Sequence, residues 1–295
     1  MISPELDSGS LKAAPMRSLL FVPADRPDRF EKAVGSGADA LILDFEDSVA
    51  RSAKAKGRDA VTEWLGTRPG VTTFVRVNPL DSPFIADDIA AVVAARPNGV
   101  VLPKAKDAQD VRRLKALLEG ADLPILPIAC ETPSAIFGLG TYEEVGSNLA
   151  GLTWGAEDLP AAMGANSARE PDGSYTDPYR IVRALVLFAA HAASVPAIET
   201  VFPAIQDLKG LASYVERARR DGFTAMMAIH PAQVKIINEG FSPTATEIEE
   251  ARRIIDAFES NPDAGVLQVQ GKMLDLPHLK LAKRILRLVH IETES

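Results

Sequence analysis

PILPIAC, residues 124–130, is a short apolar run, and the charged residue Glu131 follows it directly. The run lacks the alternating polar positions of a strand that faces water, so it predicts a strand buried on both faces of a parallel sheet. LAGLTWG, residues 149–155, repeats the pattern and is soon followed by Glu157 and Asp158. Both segments therefore predict buried strands that end in carboxylates.

Apolar segments of this kind occur eight times along the chain, and amphipathic stretches such as residues 108–118 separate them. Eight alternations of strand and helix predict an α/β fold of the (β/α)8 TIM-barrel class rather than a doubly wound sheet. We place the barrel at residues 16–240. The predicted strands are 18–22, 40–43, 73–77, 99–102, 124–129, 149–154, 197–202 and 224–229.

Polar residues follow nearly every predicted strand. In a (β/α)8 barrel the C-terminal ends of the strands carry the functional residues. Stability alone does not explain so many polar side chains at one end, and they predict an active site there. In chain order they are Asp25, Arg26, Asp44, Glu46, Asp47, Arg76, Asn78, Lys104, Glu131, Glu157, Asp158 and His230.

Glu131 and Asp158 have two interpretations from the residues alone. Two acids on neighbouring strands could hold Mg²⁺, which needs only one or two protein carboxylates and takes water and substrate oxygens as its other ligands. Ion pairs with arginine or hydrogen bonds from backbone N–H groups explain the same acids. The pair by itself favours this second interpretation.

The composition excludes several classes of protein. The formal net charge is −8 and the basic residues are scattered, which argues against nucleic acid as a partner. No apolar run approaches membrane-spanning length, so we expect no membrane association. The single cysteine, Cys130, excludes an internal disulfide and favours a cytoplasmic location. Residues 1–15 lack an apolar core and predict a disordered lead-in rather than a signal peptide.

Residues 241–295 continue beyond the predicted barrel, and we expect them to form a C-terminal helical extension that acts as a lid. A helix is predicted over residues 244–260, with acidic residues in its first turns. A basic amphipathic helix is predicted from residue 277 to about residue 289. Asp275 precedes this second helix, so the local pattern explains it equally well as a helix cap.

Nine short motifs occur in order along the chain. They are RSLLFVP at 17–23, FEKA at 30–33, LDFEDSV at 43–49, VRVNP at 75–79, LPK at 102–104, ETP at 131–133, WGAED at 154–158, AIHP at 228–231 and GKMLD at 271–275. Each motif alone is weak, but their order is highly specific. Taken together, they resemble the HpcH/HpaI aldolase and citrate lyase β-subunit-like family, whose acyl-CoA ester lyase branch includes malyl-CoA lyases. The resemblance runs from residue 17 to about residue 288.

The resemblance implies a magnesium-dependent lyase, with Mn²⁺ as the alternative ion, that cleaves or forms a β-hydroxyacyl-CoA. Malyl-CoA, methylmalyl-CoA and citryl-CoA are examples, and the products are an acyl-CoA and an oxo-acid. Glu131 and Asp158 match the family's magnesium ligands, and Arg76 matches the arginine that binds the oxo-acid carboxylate. Glu46 and Asp47 match an acidic pair near the metal and the arginine, although an ion pair with Arg76 explains them as well.

Other positions match family residues that contact the substrate. Coenzyme A offers phosphates and an adenine ring, which cations and an apolar face suit. Asp275 matches an acid that some members deliver from a neighbouring subunit, and it is the candidate acid/base for the reacting carbon. The resemblance therefore also implies a homo-oligomer, either a trimer or a dimer of trimers. The candidate substrate or coenzyme A contacts are Phe21, Arg26, Lys32, Glu157, Ile229 and His230.

Other functions stay open on the sequence. The chain could be the β subunit of a citrate lyase-type complex that acts on an acyl carrier protein. It could be a class II aldolase for small hydroxy-oxo acids that uses no coenzyme A, or a non-catalytic binding protein. Hydrolysis of the thioester at the same site would make it a synthase or a thioesterase.

Overall fold

The computed structural model describes residues 16–262 and 264–293, so the lead-in predicted for residues 1–15 lies outside the described residues. The described residues fall into two compact units. The first spans Met16–Phe241 and the second begins at Ser242. Each unit has its own secondary structure.

The first unit is a barrel of eight parallel strands, which confirms the predicted fold. The hydrogen-bonded order runs β6-β5-β4-β3-β2-β1-β8-β7. A parallel bridge between Leu152 and Ala197 joins the two ends of this series and closes the ring. The strands are β1 (Ser18–Pro23), β2 (Ala40–Asp44), β3 (Thr72–Arg76), β4 (Gly99–Ala105), β5 (Ile125–Ala129), β6 (Thr153–Trp154), β7 (Ile198–Glu199) and β8 (Ala225–Ala228).

Helices follow the strands along the chain. Short 3-10 turns at Pro27–Arg29, Arg51–Ala53 and Leu139–Asn148 supplement them. None of the helices in the described ranges is long and apolar enough to cross a membrane. The helices of the barrel unit are α1 (Phe30–Val34), α2 (Lys54–Gly66), α3 (Ile85–Ala95), α4 (Ala108–Leu117), α5 (Pro133–Ile136), α6 (Asp158–Met163), α7 (Asp177–Ala192), α8 (Leu208–Asp221) and α9 (Pro231–Phe241).

Two apolar clusters form the core because side chains alternate between the two faces of each strand. Leu19 and Ile42 belong to the smaller cluster inside the barrel. Leu20 and Leu41, their neighbours in sequence, belong to the larger cluster between strands and helices. This burial on both faces explains why the strands read as continuous apolar runs.

The second unit contains α10 (Ala245–Glu259), an antiparallel hairpin of β9 (Val266–Val269) and β10 (Lys272–Asp275), and α11 (Leu276–Thr293). Thr244 and Glu247 form a capping box at the start of α10. The sequence had indicated a helical extension, but the unit also contains a β-hairpin between its two helices. Gln270 and Gly271 form the hairpin turn, both with positive φ, which is the backbone that a two-residue hairpin loop requires.

A buried carboxylate ties β6 to β7 at the closure of the barrel. Glu199 is fully buried, and its Oε1 accepts hydrogen bonds from Trp154 Nε1 at 2.7 Å and from the backbone N–H of Thr200 at 3.0 Å. Its Oε2 accepts a hydrogen bond from Arg183 Nε at 2.6 Å. Both oxygens of the buried charge are thus satisfied, as a stable fold requires.

We expect Glu199→Ala to lower the free energy of unfolding by about 3–5 kcal/mol, because it leaves the mostly buried Arg183 without its closest carboxylate. Urea denaturation followed by circular dichroism measures the change. Asp177→Ala is the matched control, since it removes an exposed ion pair with Arg180 and should change stability by less than about 0.5 kcal/mol. Equal effects of the two substitutions would contradict a structural role of Glu199.

Candidate functional site

Three neighbouring strands place Phe21, Asp44 and Arg76 at the C-terminal edge of the barrel interior. Asp44 lies opposite Pro23 of β1 and opposite Arg76 of β3. Arg76 Nε donates to Asp44 Oδ1 at 2.6 Å, and Arg76 Nη2 donates to Asp44 Oδ2 at 2.7 Å. The guanidinium lies 4.7 Å from the centroid of the Phe21 ring. The arginine is therefore held between a bidentate carboxylate and an aromatic face.

Asp44 is 1% exposed and stays charged because several donors surround it. Burial raises the pKa of its carboxyl, but Arg76 and the backbone N–H groups of Glu46 and Ser48 outweigh burial, so the pKa lies below its usual value. Burial lowers the pKa of Arg76. Asp44 and Glu46 raise this pKa by more than burial lowers it, so the net shift is upward. The sequence marked Asp44 as a polar strand end but did not identify it as the principal partner of Arg76.

Glu46 is 3% exposed and lies between two cations. Its Oε2 is 3.0 Å from Arg76 Nη1, and its Oε1 is 2.5 Å from Lys104 Nζ. The Arg76 contact lacks hydrogen-bond geometry, so within the described residues Oε2 accepts no hydrogen bond. Burial raises the pKa of Glu46 even though both cations oppose the shift. Asp47 is more exposed and lies 3.6 Å from Lys104 Nζ rather than against the arginine.

Lys54, a buried residue of α2, fixes the loop that carries Glu46. Lys54 Nζ donates to the carbonyl oxygens of Phe45 at 2.7 Å and Glu46 at 3.0 Å. Asn78 Nδ2 also donates to the Phe45 carbonyl, at 3.1 Å, and to Asp88 Oδ2, at 2.6 Å. These bonds satisfy buried carbonyl groups and restrict the position of the acidic pair.

Glu131 follows β5 and is also 3% exposed. The backbone N–H of Lys104 donates to its Oε2. Burial, with smaller contributions from the Glu46 and Asp158 carboxylates, raises the pKa of Glu131 to about 8, although the Lys104 hydrogen bond opposes this shift. Asp158 is the first residue of α6 and is partly exposed. The two acids are thus close enough to repel each other.

These two acids fit a divalent cation. Carboxylate oxygens are hard ligands of the kind that Mg²⁺ binds, and a cation relieves the mutual repulsion between buried Glu131 and partly exposed Asp158. Within the described residues, no group of three or more His, Cys, Asp or Glu side chains has an arrangement that could hold a metal ion. An ion at this site would therefore depend on Glu131 and Asp158, with its other positions left for water and ligand oxygens.

Gly155 makes room for Glu131. A Cβ atom on Gly155 would lie 2.2 Å from Glu131 Cγ, closer than any real contact between these atoms. The residue lies in the WGAED segment, between β6 and Asp158. The absence of a side chain at this position lets the two acids approach each other.

Other predicted site residues make mainly local contacts. Arg26 pairs with Asp28 at 2.9 Å in an exposed ion pair, and Lys32 is exposed on α1. The Ile229 N–H donates to Gln233 Oε1 at 2.9 Å. His230 and Glu157 also make contacts with residues nearby in the sequence. His230 Nδ1 accepts a hydrogen bond from the Ala232 N–H at 3.2 Å, and Glu157 Oε1 lies 3.7 Å from Arg169 Nη2.

Asp275 ends β10 in the second unit. Its Oδ1 lies 2.5 Å from His278 Nδ1, and this hydrogen bond lowers the pKa of Asp275 below its usual value. The side chain of this candidate acid/base is about half exposed. His278, one turn along α11, is the partner that sequence reasoning missed.

Comparisons with known proteins find a family model and relatives that match most of the chain. The family model described as HpcH/HpaI aldolase/citrate lyase matches residues 17–231. The chain is 34% identical over 275 residues to a citrate lyase subunit beta-like protein of Mycobacterium tuberculosis, covering 91% of this chain and 93% of that protein. It is also 34% identical over 281 residues to a (3S)-malyl-CoA thioesterase of Cereibacter sphaeroides, covering 93% and 95%.

Solved structures are similar along nearly the whole chain. One is the crystal structure of the protein CitE from Mycobacterium tuberculosis in complex with magnesium, acetoacetate and coenzyme A. Its TM-score is 0.79 at 34% sequence identity, and the match covers 94% of this chain and 98% of that one. This match therefore extends beyond the barrel unit.

Gly155→Ala should weaken the binding of a divalent cation by at least about tenfold, because the added methyl group displaces Glu131. Isothermal titration calorimetry with Mg²⁺ or Mn²⁺ measures the affinity. Gly140→Ala is the control, since a Cβ at Gly140 meets no atom within 4 Å. Unchanged affinity in Gly155→Ala would exclude Glu131 as a ligand in this arrangement.

Cation binding should depend on pH, because the raised pKa of Glu131, about 8, leaves this carboxyl protonated at neutral pH. A bound cation requires the carboxylate, so binding releases a proton below pH 8. The affinity should rise with pH, by about tenfold per unit, and level off above pH 8. Titration between pH 6 and pH 9 measures this. A flat profile in the native protein would contradict the raised pKa.

Proposed function

The chain belongs to the HpcH/HpaI aldolase/citrate lyase family, and we propose that it is a magnesium-dependent carbon–carbon lyase acting on a β-hydroxyacyl-CoA. The observation that carries the proposal is the convergence of Glu131, Asp158 and Arg76 at one edge of the barrel. Two hard ligands and a guanidinium suit a small acid that carries a carboxylate beside an oxygen function. Malyl-, methylmalyl- and citryl-CoA have such an acid half.

Glu131 and Asp158 would hold the cation. When bound, Mg²⁺ or Mn²⁺ would stabilise negative charge that develops on the hydroxyl or carbonyl oxygen of the acid half. The Lys104 N–H keeps one oxygen of Glu131 in place during this process. The burial of Glu131 excludes water from that side of the site.

Arg76 would bind the carboxylate of the oxo-acid. A guanidinium has five N–H donors. Asp44 takes the Nε donor and one Nη2 donor, and Glu46 lies against Nη1. The second N–H of Nη2 and the N–H groups of Nη1 make no hydrogen bond to either acid, and a pair of them on the two terminal nitrogens suits the two oxygens of a carboxylate. Phe21 covers a face of the same guanidinium.

Cleavage requires two proton movements. The hydroxyl loses a proton, the carbon–carbon bond breaks to release the oxo-acid, and the acyl-CoA enolate gains a proton on carbon. We assign the hydroxyl proton to Glu46, the buried acid whose Oε2 accepts no hydrogen bond within the described residues. We assign the carbon proton to Asp275 with its partner His278. Condensation is the same sequence in reverse.

Coenzyme A would bind outside β1, where Arg26 and Lys32 present exposed cations to phosphates. Asp28 holds Arg26 only through an exposed ion pair, which contributes little stability and yields readily to a phosphate. Ile229, His230 and Glu157 would border the thioester arm. Asp47 completes the acidic pair at the entrance.

We also propose a cytoplasmic homo-oligomer, a trimer or a dimer of trimers, in which Asp275 serves the site of a neighbouring subunit. A monomer in light scattering at working concentration would remove that role of Asp275. Thioester hydrolysis is the second candidate activity, because the identity to a malyl-CoA thioesterase equals that to a citrate lyase beta-like protein. Transfer on an acyl carrier protein and coenzyme A-independent aldol chemistry are outcomes of the test below.

Mass spectrometry of products decides among these activities. The protein is incubated with malyl-, methylmalyl- and citryl-CoA and with small hydroxy-oxo acids, each with Mg²⁺ and with chelator. We expect acetyl-CoA or propionyl-CoA plus an oxo-acid, only with Mg²⁺. Free coenzyme A with an intact acid would identify a thioesterase. Turnover of the small acids alone would identify an aldolase, and no turnover would favour an acyl carrier substrate.

Asp158→Asn is the matched variant for the product assay. It keeps the size of the side chain, so the melting temperature should stay within a few degrees of that of the native protein, while Mg²⁺-dependent product formation disappears. Circular dichroism checks the fold. Full activity in this variant would refute the proposed cation site.

A further inference from the structure

β4 carries an extra residue where it ends beside β5. β4 advances three residues from Leu102 to Ala105, while β5 advances two from Pro127 to Ala129, which is a β-bulge. Lys104 lies inside this bulge with φ 53°. A lysine rarely adopts this left-handed backbone, and such conformations persist where the surrounding structure holds them, often at functional sites.

The left-handed conformation gives Lys104 contacts through both its backbone and its side chain. Its backbone N–H donates to Oε2 of Glu131. Its ammonium lies 2.5 Å from Oε1 of Glu46 and 3.6 Å from Oδ2 of Asp47. One residue therefore connects both acidic segments of the site, the one after β2 and the one after β5.

The backbone contact determines which oxygen of Glu131 is available. Oε2 accepts the hydrogen bond of the Lys104 N–H. Oε1 lies on the side of Gly155, since a Cβ atom on Gly155 would be 3.3 Å from Oε1. Gly155 belongs to the same segment as Asp158. Oε1 is thus the oxygen on the side of the segment that carries Asp158.

The Lys104 ammonium reduces the net negative charge of the site. Carboxylates outnumber cations here, because Asp44, Glu46, Asp47, Glu131 and Asp158 gather around Arg76 and Lys104. A positive charge in this group repels a divalent cation and attracts an anionic ligand. Its removal should therefore have opposite effects on the two kinds of ligand.

We infer that Lys104 is a positioning residue of the cation site with two separable effects. Its left-handed backbone fixes Glu131 so that Oε1 faces the cation. Its ammonium weakens cation binding and strengthens the binding of the anionic oxo-acid. The inference rests on the proposed cation site at Glu131 and Asp158.

The test uses three neutral substitutions that differ in backbone preference. Lys104→Met removes the charge and leaves the backbone cost nearly unchanged. Lys104→Val removes the charge and opposes positive φ, because a branched Cβ clashes there. Lys104→Gly removes the charge and favours positive φ. Lys115→Met is the control, since the ion pair of Lys115 on α4 among the described residues is with the fully exposed carboxylate of Asp122, at 3.2 Å.

Mg²⁺ affinity is measured by calorimetry and Mn²⁺ affinity by electron paramagnetic resonance on the full chain. We expect Lys104→Met to bind Mg²⁺ about threefold or more tightly than the native protein. Lys104→Val should bind at least about tenfold more weakly than Lys104→Met, because Glu131 loses its fixed donor. Lys104→Gly should match Lys104→Met, and Lys115→Met should match the native protein. With Mg²⁺ bound, oxo-acid affinity should fall in Lys104→Met.

Equal Mg²⁺ affinity of the Met and Val variants would overturn the backbone effect. Mg²⁺ binding by Lys104→Met that is no tighter than native would overturn the charge effect. If Lys104→Val does not fold, the backbone effect is tested by comparing the Mg²⁺ affinities of Lys104→Gly and Lys104→Met. Tenfold weaker binding by Lys104→Gly than by Lys104→Met would overturn the backbone effect. An ordinary structural ion pair with Glu46 predicts equal binding by all three neutral variants.

A failure of the proposed function gives a different result. In that case the native protein binds no Mg²⁺, or Glu131→Gln binds it as tightly as the native protein does. Normal binding by the native protein, loss in Glu131→Gln and no trend among the Lys104 variants would instead refute only the inference about Lys104.

Discussion

The candidate site depends on a guanidinium that is placed among carboxylates inside the barrel. Arg76 is mostly buried, and a buried charge is tolerated only when partners replace its lost hydration. Asp44 supplies a bidentate partner from the adjacent strand, Glu46 supplies a second carboxylate, and Phe21 covers the ring face. Phe21 belongs to β1, and the two carboxylates lie at the end of β2 and in the loop after it. Arg76, at the end of β3, therefore fixes these three strands relative to one another.

The sequence predicted the barrel well because burial on both faces leaves a simple mark, a continuous apolar run followed by a polar residue. It also indicated which residues gather at the C-terminal edge. It offered an ion pair of Glu46 and Asp47 with Arg76, but it did not reveal which of the two acids forms it. Glu46 and Asp47 are adjacent in the chain, yet Glu46 is buried against Arg76 and Asp47 is exposed near Lys104. Which of two neighbouring acids turns inward depends on the loop backbone, and Lys54, which fixes that loop, lies on the following helix.

The second unit shows a similar limit. Its helices were readable from charge and spacing, and the capping box at Thr244 and Glu247 is a local pattern. The hairpin between them has strands of four residues each, with exposed positions that carry little periodic signal. The pairing of Asp275 with His278 depends on where the hairpin ends and α11 begins. A local contact of this kind influences the charge of the Asp275 carboxyl, and composition does not report it.

The closure of the barrel between β6 and β7 has a dynamic consequence. These are the shortest strands of the ring, and within the described residues the bridge at Leu152 and the contacts of Glu199 join the two sides beyond them. Segments with few backbone hydrogen bonds open with the lowest free energy. Asp158 lies in the segment after β6, so a transient opening of this closure loosens the segment that carries Asp158, while Glu131 stays beside the longer strand β5. A ligand that bridges the two acids would thus slow the breathing of the ring, and a looser ring would release that ligand faster.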